Sequence, residues 1–265
     1  MRQLLFIMLC LLVAPGYAQL AQPDEAGISY GHMHLNVADV AQHKQLWQEY
    51  FGGVPVGDGA LQAIRFPNTL ILFTERQPGG GSRESVLHHF GFKVRNMDRF
   101  LAHWRASGLP VGEVFTGAEG QRNVYVTMPD EVYVELQEDK SLATEISGYH
   151  IHYFTPQYEE LLAWYVDIFS LEQRPRGTIP STTNVPGMNL SFGDAREERL
   201  PTRRRAIDHI GFEIVGLEEF CRRLEQKGIS FDVPYREIPS LGLKIAFLTD
   251  PSGVTIELTE GLARF

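Results

Sequence analysis

The chain has 265 residues, 24 Lys and Arg against 33 Asp and Glu, and a formal net charge of −9. A negative balance argues against nucleic acid and anionic lipid surfaces as partners. Its length suits two domains at roughly 100 to 200 residues each.

Residues 1–18 read as a secretory leader: Arg2 supplies the positive start, Leu4 to Val13 the apolar stretch, and Gly16-Tyr17-Ala18 a small-x-small cleavage site. Cleavage after Ala18 leaves 247 residues and, without Arg2, a net charge of −10. No segment reaches the roughly 20 apolar residues of a membrane helix. The expectation is an exported protein, periplasmic or secreted, with no membrane contact after cleavage. Cys10 lies in the leader and Cys221 then stands alone, so no internal disulfide can form.

Further along, one order of signals appears twice. His32, His89 and Glu135 in the first half match His150, His209 and Glu257 in the second, at offsets of 118, 120 and 122 residues. Such a steady drift points to duplication. Each half divides again, because every His-bearing strand precedes an amphipathic helical segment: Asp39 to Phe51, Met97 to Ser107, Tyr158 to Phe169 and Leu217 to Lys227. Short alternating runs follow, including Asn123 to Met128, Glu131 to Gln137, Lys244 to Thr249 and Val254 to Thr259. The expected fold is α+β: four βαβββ units, with mixed sheets carrying helices on one face. The halves span 28–138 and 146–262, with a boundary around Glu138 to Glu145, while 77–84 and 194–205 read as exposed linkers within them.

Strand alternation sets the direction of the side chains. Met33, Leu35 and Val37 oppose His32 and His34; Phe90, Phe92 and Val94 oppose His89; Val132, Val134 and Leu136 oppose Glu135; Ile210 and Phe212 oppose His209; Ile256 and Leu258 oppose Glu257. If the apolar faces cover the helices, two imidazoles and a carboxylate of each half project from one surface. That donor set suits Fe(II), Mn(II), Zn or Ni and leaves coordination positions open. His34, His88 and His152 share the neighbourhood as supporting residues, and His43 and His103 read as surface positions on helices.

The succession of His, helix, His-Ile-Gly-Phe-Glu at 209–213 and Asp-Pro-Ser-Gly-Val-Thr-Ile-Glu-Leu at 250–258 resembles the vicinal oxygen chelate superfamily, which includes glyoxalase I, extradiol dioxygenases and fosfomycin or bleomycin resistance proteins. The likeness spans Ile28 to Leu262. It implies two tandem domains, each a pair of units closed into a cup, with His32, His89 and Glu135 as one metal set and His150, His209 and Glu257 as the other. It also implies a divalent metal that chelates vicinal oxygens of a small substrate and stabilises the charge that forms.

Within that family a dioxygenase-like reaction stands first, a glyoxalase-like lyase or isomerase second, and a non-catalytic small-molecule binding or resistance protein third. Against the first, Phe247 takes the place of a tyrosine before the metal Glu, although Tyr125 holds it in the first half, and no His lies between His152 and His209. Against the second, Thr69 to Phe73 and Asn189 to Phe192 contain no carboxylate. Tyr125 and Tyr235, with Tyr133 and Tyr153 behind them, are the candidates for proton transfer or substrate positioning. A monomer or a homodimer fits the duplication equally.

Overall fold

The computed structural model describes residues 20–57 and 59–265; the expected leader and its cleavage site lie outside them. Fifteen strands run β1 Ile28–Val37, β2 Val54–Val56, β3 Ala63–Phe66, β4 Thr69–Glu75, β5 Leu87–Val94, β6 Phe115–Thr116, β7 Arg122–Met128, β8 Val132–Glu138, β9 Ile146–Phe154, β10 Thr182–Val185, β11 Met188–Gly193, β12 Ile207–Ile214, β13 Val233–Ile238, β14 Leu243–Thr249 and β15 Thr255–Glu260. Helices α1 Val40–Phe51, α2 Met97–Trp104, α3 Tyr158–Phe169 and α4 Leu217–Gln226 fall where the apolar periodicity places them. Asp39 caps α1 by accepting from the Gln42 amide, and Asn96 caps α2 by accepting from Arg99. No helix among the described residues is long and apolar enough to cross a membrane.

Four strand-helix-strand units build the expected α+β fold, but the sheets do not follow the halves of the chain. One sheet has the order β13-β14-β15-β12-β1-β4-β3-β2 and the other β10-β11-β9-β5-β8-β7-β6. The first therefore joins the first and last units, through antiparallel β1 and β12, and the second joins the two middle units, through antiparallel β5 and β9. The third unit is the shortest, with only β10 and β11 after its helix and isolated bridges Gln173↔Thr183 and Arg176↔Ile179 in place of a third strand.

The apolar layer between the sheets is one cluster that draws on both halves. Trp47 of α1, in the first unit, stacks on Phe90 of β5, in the second, at 5.9 Å, and Phe169 of α3 stacks on Phe212 of β12 at 4.2 Å. Helices thus glue the two sheets back to back, and the opposite, polar faces are left to form cups.

The two stretches expected to be exposed linkers keep many exposed residues but are interlocked by hydrogen bonds. Gly79 donates to the Arg204 carbonyl, Ala206 to Gly80, Val86 to Leu200 and Leu200 to Glu84. Ser82, Ser85 and Arg205 are buried there. His43 also departs from expectation: it is fully buried on α1, with Nε2 3.2 Å from Asp130 Oδ2 in the tight turn before β8. His103 is exposed, as expected.

Candidate functional site

Register decides which histidines meet. Across β1 and β12, His32 faces Gly211 and His34 faces His209; across β5 and β9, His150 faces Gly91 and His152 faces His89. In parallel pairing, Glu257 of β15 lies beside Gly211 and Glu135 of β8 beside Gly91. Each cup therefore takes His-x-His from one unit and His-x-Gly plus the Glu from another.

The six residues come together, but in a different grouping from the one the resemblance implied. His32 joins His209 and Glu257, whereas His89 and Glu135 join His150. In the first cup Glu257 Oε2 is 3.0 Å from both His32 Nε2 and His209 Nε2. In the second Glu135 Oε2 is 2.9 Å from both His89 Nε2 and His150 Nε2, and the two nitrogens are 3.4 Å apart. His34 completes a cluster with the first set and His152 with the second, all donor atoms of each lying within 4.8 Å of one another. Neither hydrogen-bonds to its triad: His34 Nε2 is 2.8 Å from Thr74 Oγ1 with its ring stacked on His209, and His152 is stacked on Phe154.

The glycines explain part of the sequence pattern. A Cβ at Gly211 would stand 2.0 Å from His32 Cε1, and one at Gly91 would stand 2.2 Å from His150 Cε1. Only a hydrogen leaves room for the ring arriving from the other half of the chain.

The remaining ring nitrogens are treated unequally. Asp208 Oδ1 holds His209 Nδ1 at 2.7 Å, and Asp208 is itself held by Asn36 and the Arg204 amide. At the same place in the second cup, His88 Nδ1 meets His89 Nδ1 at 2.8 Å, and Asn123 donates to Glu135 Oε1 at 2.6 Å. Burial alone would lower the His209 pKa, but Asp208 and Glu257 outweigh it and raise it to about 9. For His150 burial prevails over Glu135 and brings it down to about 4. Burial likewise opposes ionisation of Glu135, yet hydrogen bonds from His150 and His89 hold it well below the usual carboxylate range.

The donor triangles fit one ion each. With metal–ligand distances of about 2.1 Å, adjacent donors sit about 3.0 Å apart around an octahedral ion and about 3.4 Å around a tetrahedral one. The fourth position is not a carboxylate in either cup. The partner of His34 in the parallel register, where Gly211 has Glu257, is Leu72; the partner of His152 is Ser191.

Of the tyrosines, Tyr125 reaches the second cup: its ring is 5.2 Å from His89, stacks on Tyr133 at 4.6 Å and lines the cavity there. Burial holds its phenol protonated. Tyr235 does not belong to a site. It is near the surface on β13, donates to Glu237 and packs on the helix-covered side. Tyr153 is in the core, stacked on Phe192 at 4.6 Å. Asp208, Asn123, Ser191 and Arg176 went unread. Asp208 had a signal in standing directly before His209, while Arg176 lies in an irregular turn that no periodicity marks.

Residues 149–258 match the model of the Glyoxalase/Bleomycin resistance protein/Dioxygenase superfamily. The match covers the third and fourth units, and the vicinal oxygen chelate fold extends over both halves. Glyoxalase I from Zea mays superposes with a TM-score of 0.71 at 14% identity, covering 89% of this chain and 94% of that one. A putative dioxygenase from Bacillus subtilis subsp. subtilis str. 168 superposes with a TM-score of 0.69 at 12% identity, covering 92% and 86%. At such identities the likeness concerns the fold alone. A comparison with curated protein sequences gave no match.

Proposed function

We propose that this vicinal oxygen chelate protein is an exported, divalent-metal-dependent enzyme acting on a small oxygenated substrate in a dioxygenase-like reaction. The observation that carries this reading is the pair of His, His, Glu sets, in each of which one Glu oxygen lies 2.9 to 3.0 Å from two imidazole nitrogens, with a non-carboxylate fourth position. Two imidazoles and one carboxylate with open positions are the donor set of non-haem Fe(II) oxygenases. A glyoxalase-like lyase would be better served by a second carboxylate where Leu72 and Ser191 stand. A bound divalent ion supplies electrophilic activation of a chelated pair of substrate oxygens. Export rests on the leader pattern of residues 1–18.

The residues around the second cup supply the rest. Burial, with the neighbouring His89 and His150, holds His152 well below its ordinary pKa, so a neutral imidazole faces the cavity and can accept a hydroxyl proton from substrate. Tyr125, kept protonated, can donate a hydrogen bond to the same substrate. Phe115 and Ile179 give the cavity an apolar side. Asn123 fixes Glu135 through Oε1, leaving Oε2 turned toward the imidazoles.

The test is metal content and oxygen uptake on residues 19–265 purified without chelators. Bound Fe(II) or Mn(II) with uptake of oxygen on adding catechols supports the proposal. Turnover without oxygen moves the reading to lyase or isomerase chemistry, and no bound metal after reconstitution with Fe(II), Mn(II), Zn and Ni sinks it.

A further inference from the structure

The cavity over the second cup, of about 280 Å³, is lined by Phe115, Tyr125, Glu135, His152, Ile179 and Arg176. Arg176 is buried, at 8% exposure, and comes from the turn that replaces a strand in the third unit. A buried guanidinium needs strong partners, because taking its charge out of water is costly. Its Nε and Nη2 donate to the neutral Ser191 hydroxyl at 3.3 and 3.1 Å. The nearest carboxylate, Glu119, is 3.5 Å from Nη1, and its Oε2 already accepts from Tyr149 and Gln137 at 2.7 and 2.8 Å. Three of the five N–H groups of an arginine are thus occupied, and the charge is met in part by the shared Glu119 carboxylate and by the Tyr149 ring, 5.4 Å away.

Register sharpens the point. Ser191 stands beside His152 as Glu135 stands beside Gly91. Where the neighbouring unit presents a negative side chain, this unit presents a serine that carries a guanidinium. The first cup has Leu72 at that register, and the arginines that line the cavity beside Asp208, Arg76, Arg203 and Arg204, are all exposed. Arg176 is therefore not a repeated feature of the duplication but belongs to one cup.

We propose that the cavity over His89, Glu135 and His150 takes a carboxylate-bearing substrate and that Arg176 selects it, the carboxylate docking on the guanidinium while the oxygens elsewhere in the molecule face the triad. This rests on the reading of the cup as a substrate site. Arginine suits the task because its fixed fork matches a carboxylate in a two-point contact. The apolar walls from Phe115 and Ile179 and the cavity volume set the size at one small ring or a short unsaturated chain.

The test compares two probes that differ only in the carboxylate, catechol and 3,4-dihydroxybenzoate, by calorimetric titration into Zn-loaded full chain carrying His209→Ala to disable the first cup. Wild-type Arg176 is set beside Arg176→Lys and Arg176→Met, with thermal melts and zinc content on the same samples. The expected result is at least tenfold tighter binding of the carboxylated probe, a ratio that shrinks in Arg176→Lys and falls to about one in Arg176→Met, with catechol affinity unchanged. An equal affinity for both probes in the parent, or a preference that survives Arg176→Met, overturns the proposal. Should Arg176→Met melt early, Arg176→Lys decides: a purely structural role leaves the probe ratio intact. If zinc is absent throughout, the metal-dependent function fails, and benzoate against phenol on the metal-free chain still reads the preference attributed to Arg176.

Discussion

Alanine at Gly211 tests both the grouping of the donors and the reason for the glycine. The Gly211 φ is not positive, so alanine brings no backbone strain. Its Cβ would lie 2.0 Å from Cε1 and 2.2 Å from Nδ1 of His32. Non-bonded atoms pack at about 3.5 Å, so the ring must retreat by roughly 1.5 Å. That is several times the tolerance of about 0.2 Å on a metal–ligand distance, and it breaks the 3.0 Å approach of His32 to Glu257. We expect the first cup to lose at least roughly 100-fold in metal affinity and the fold to lose about 1–3 kcal/mol through overpacking, with the second cup unaffected. Elemental analysis and anaerobic titration with Zn or Fe(II) read the stoichiometry, which should fall from two equivalents to one. Adding His89→Ala should remove the second equivalent, whereas adding His209→Ala should remove nothing more. Retention of both equivalents at parental affinity in Gly211→Ala would refute the grouping.

Metal affinity of the two cups should diverge with pH. His209 is protonated below about 9 and must give up that proton to a metal, whereas His150, at about 4, is already neutral. Affinity at the first cup should fall about tenfold per unit as pH drops from 9 to 7, beyond any fall at the second; parallel titrations in His150→Ala and His209→Ala backgrounds check this. Asp250 is held up at about 6, chiefly by burial, although the Ser252 and Val254 amides and the Tyr165 hydroxyl bond to it. Its folded pKa lies above the ordinary aspartate value of about 3.9, so the native state binds the proton more tightly. Its contribution is therefore fully present below about pH 4 and fades up to about pH 6, by up to about 3 kcal/mol. The stability of Asp250→Asn relative to the parent should rise across that window in urea melts and stay flat above it. His43→Ala and Asp130→Ala should each cost about 1–3 kcal/mol by stranding a buried partner, and the double variant should cost clearly less than their sum.

The sequence carried the elements and the donors well, because both depend on local spacing. Alternation around His209 and Glu257 put them on the polar face, and the caps and apolar periods fixed the helices. The partnership of the units was not local. His32 and His150 occupy equivalent places in the repeat, so offsets of 118 to 122 residues fit either grouping of the sets. One hint was available: residues 139–145 are the shortest connection between units, and β8 and β9 both pair with β5. His43 was misplaced because a single helical histidine says nothing of the Asp130 turn that reaches it from the next unit. Arg176 was invisible for a related reason, since its burial follows from the turn and from Ser191 rather than from any pattern of its own.

Because β1 pairs with β12, the first cup closes the chain on itself, drawing on residues 28–75 and 207–260. The second cup needs only the continuous stretch 87–193. During synthesis the middle cup can assemble while the outer one still awaits its last strands, so the two should appear in order rather than together. Fraying or clipping at either terminus would therefore silence the outer cup first. The inner cup would lose only the apolar layer at its back, and a single polypeptide would pass through a one-site form on its way to or from two.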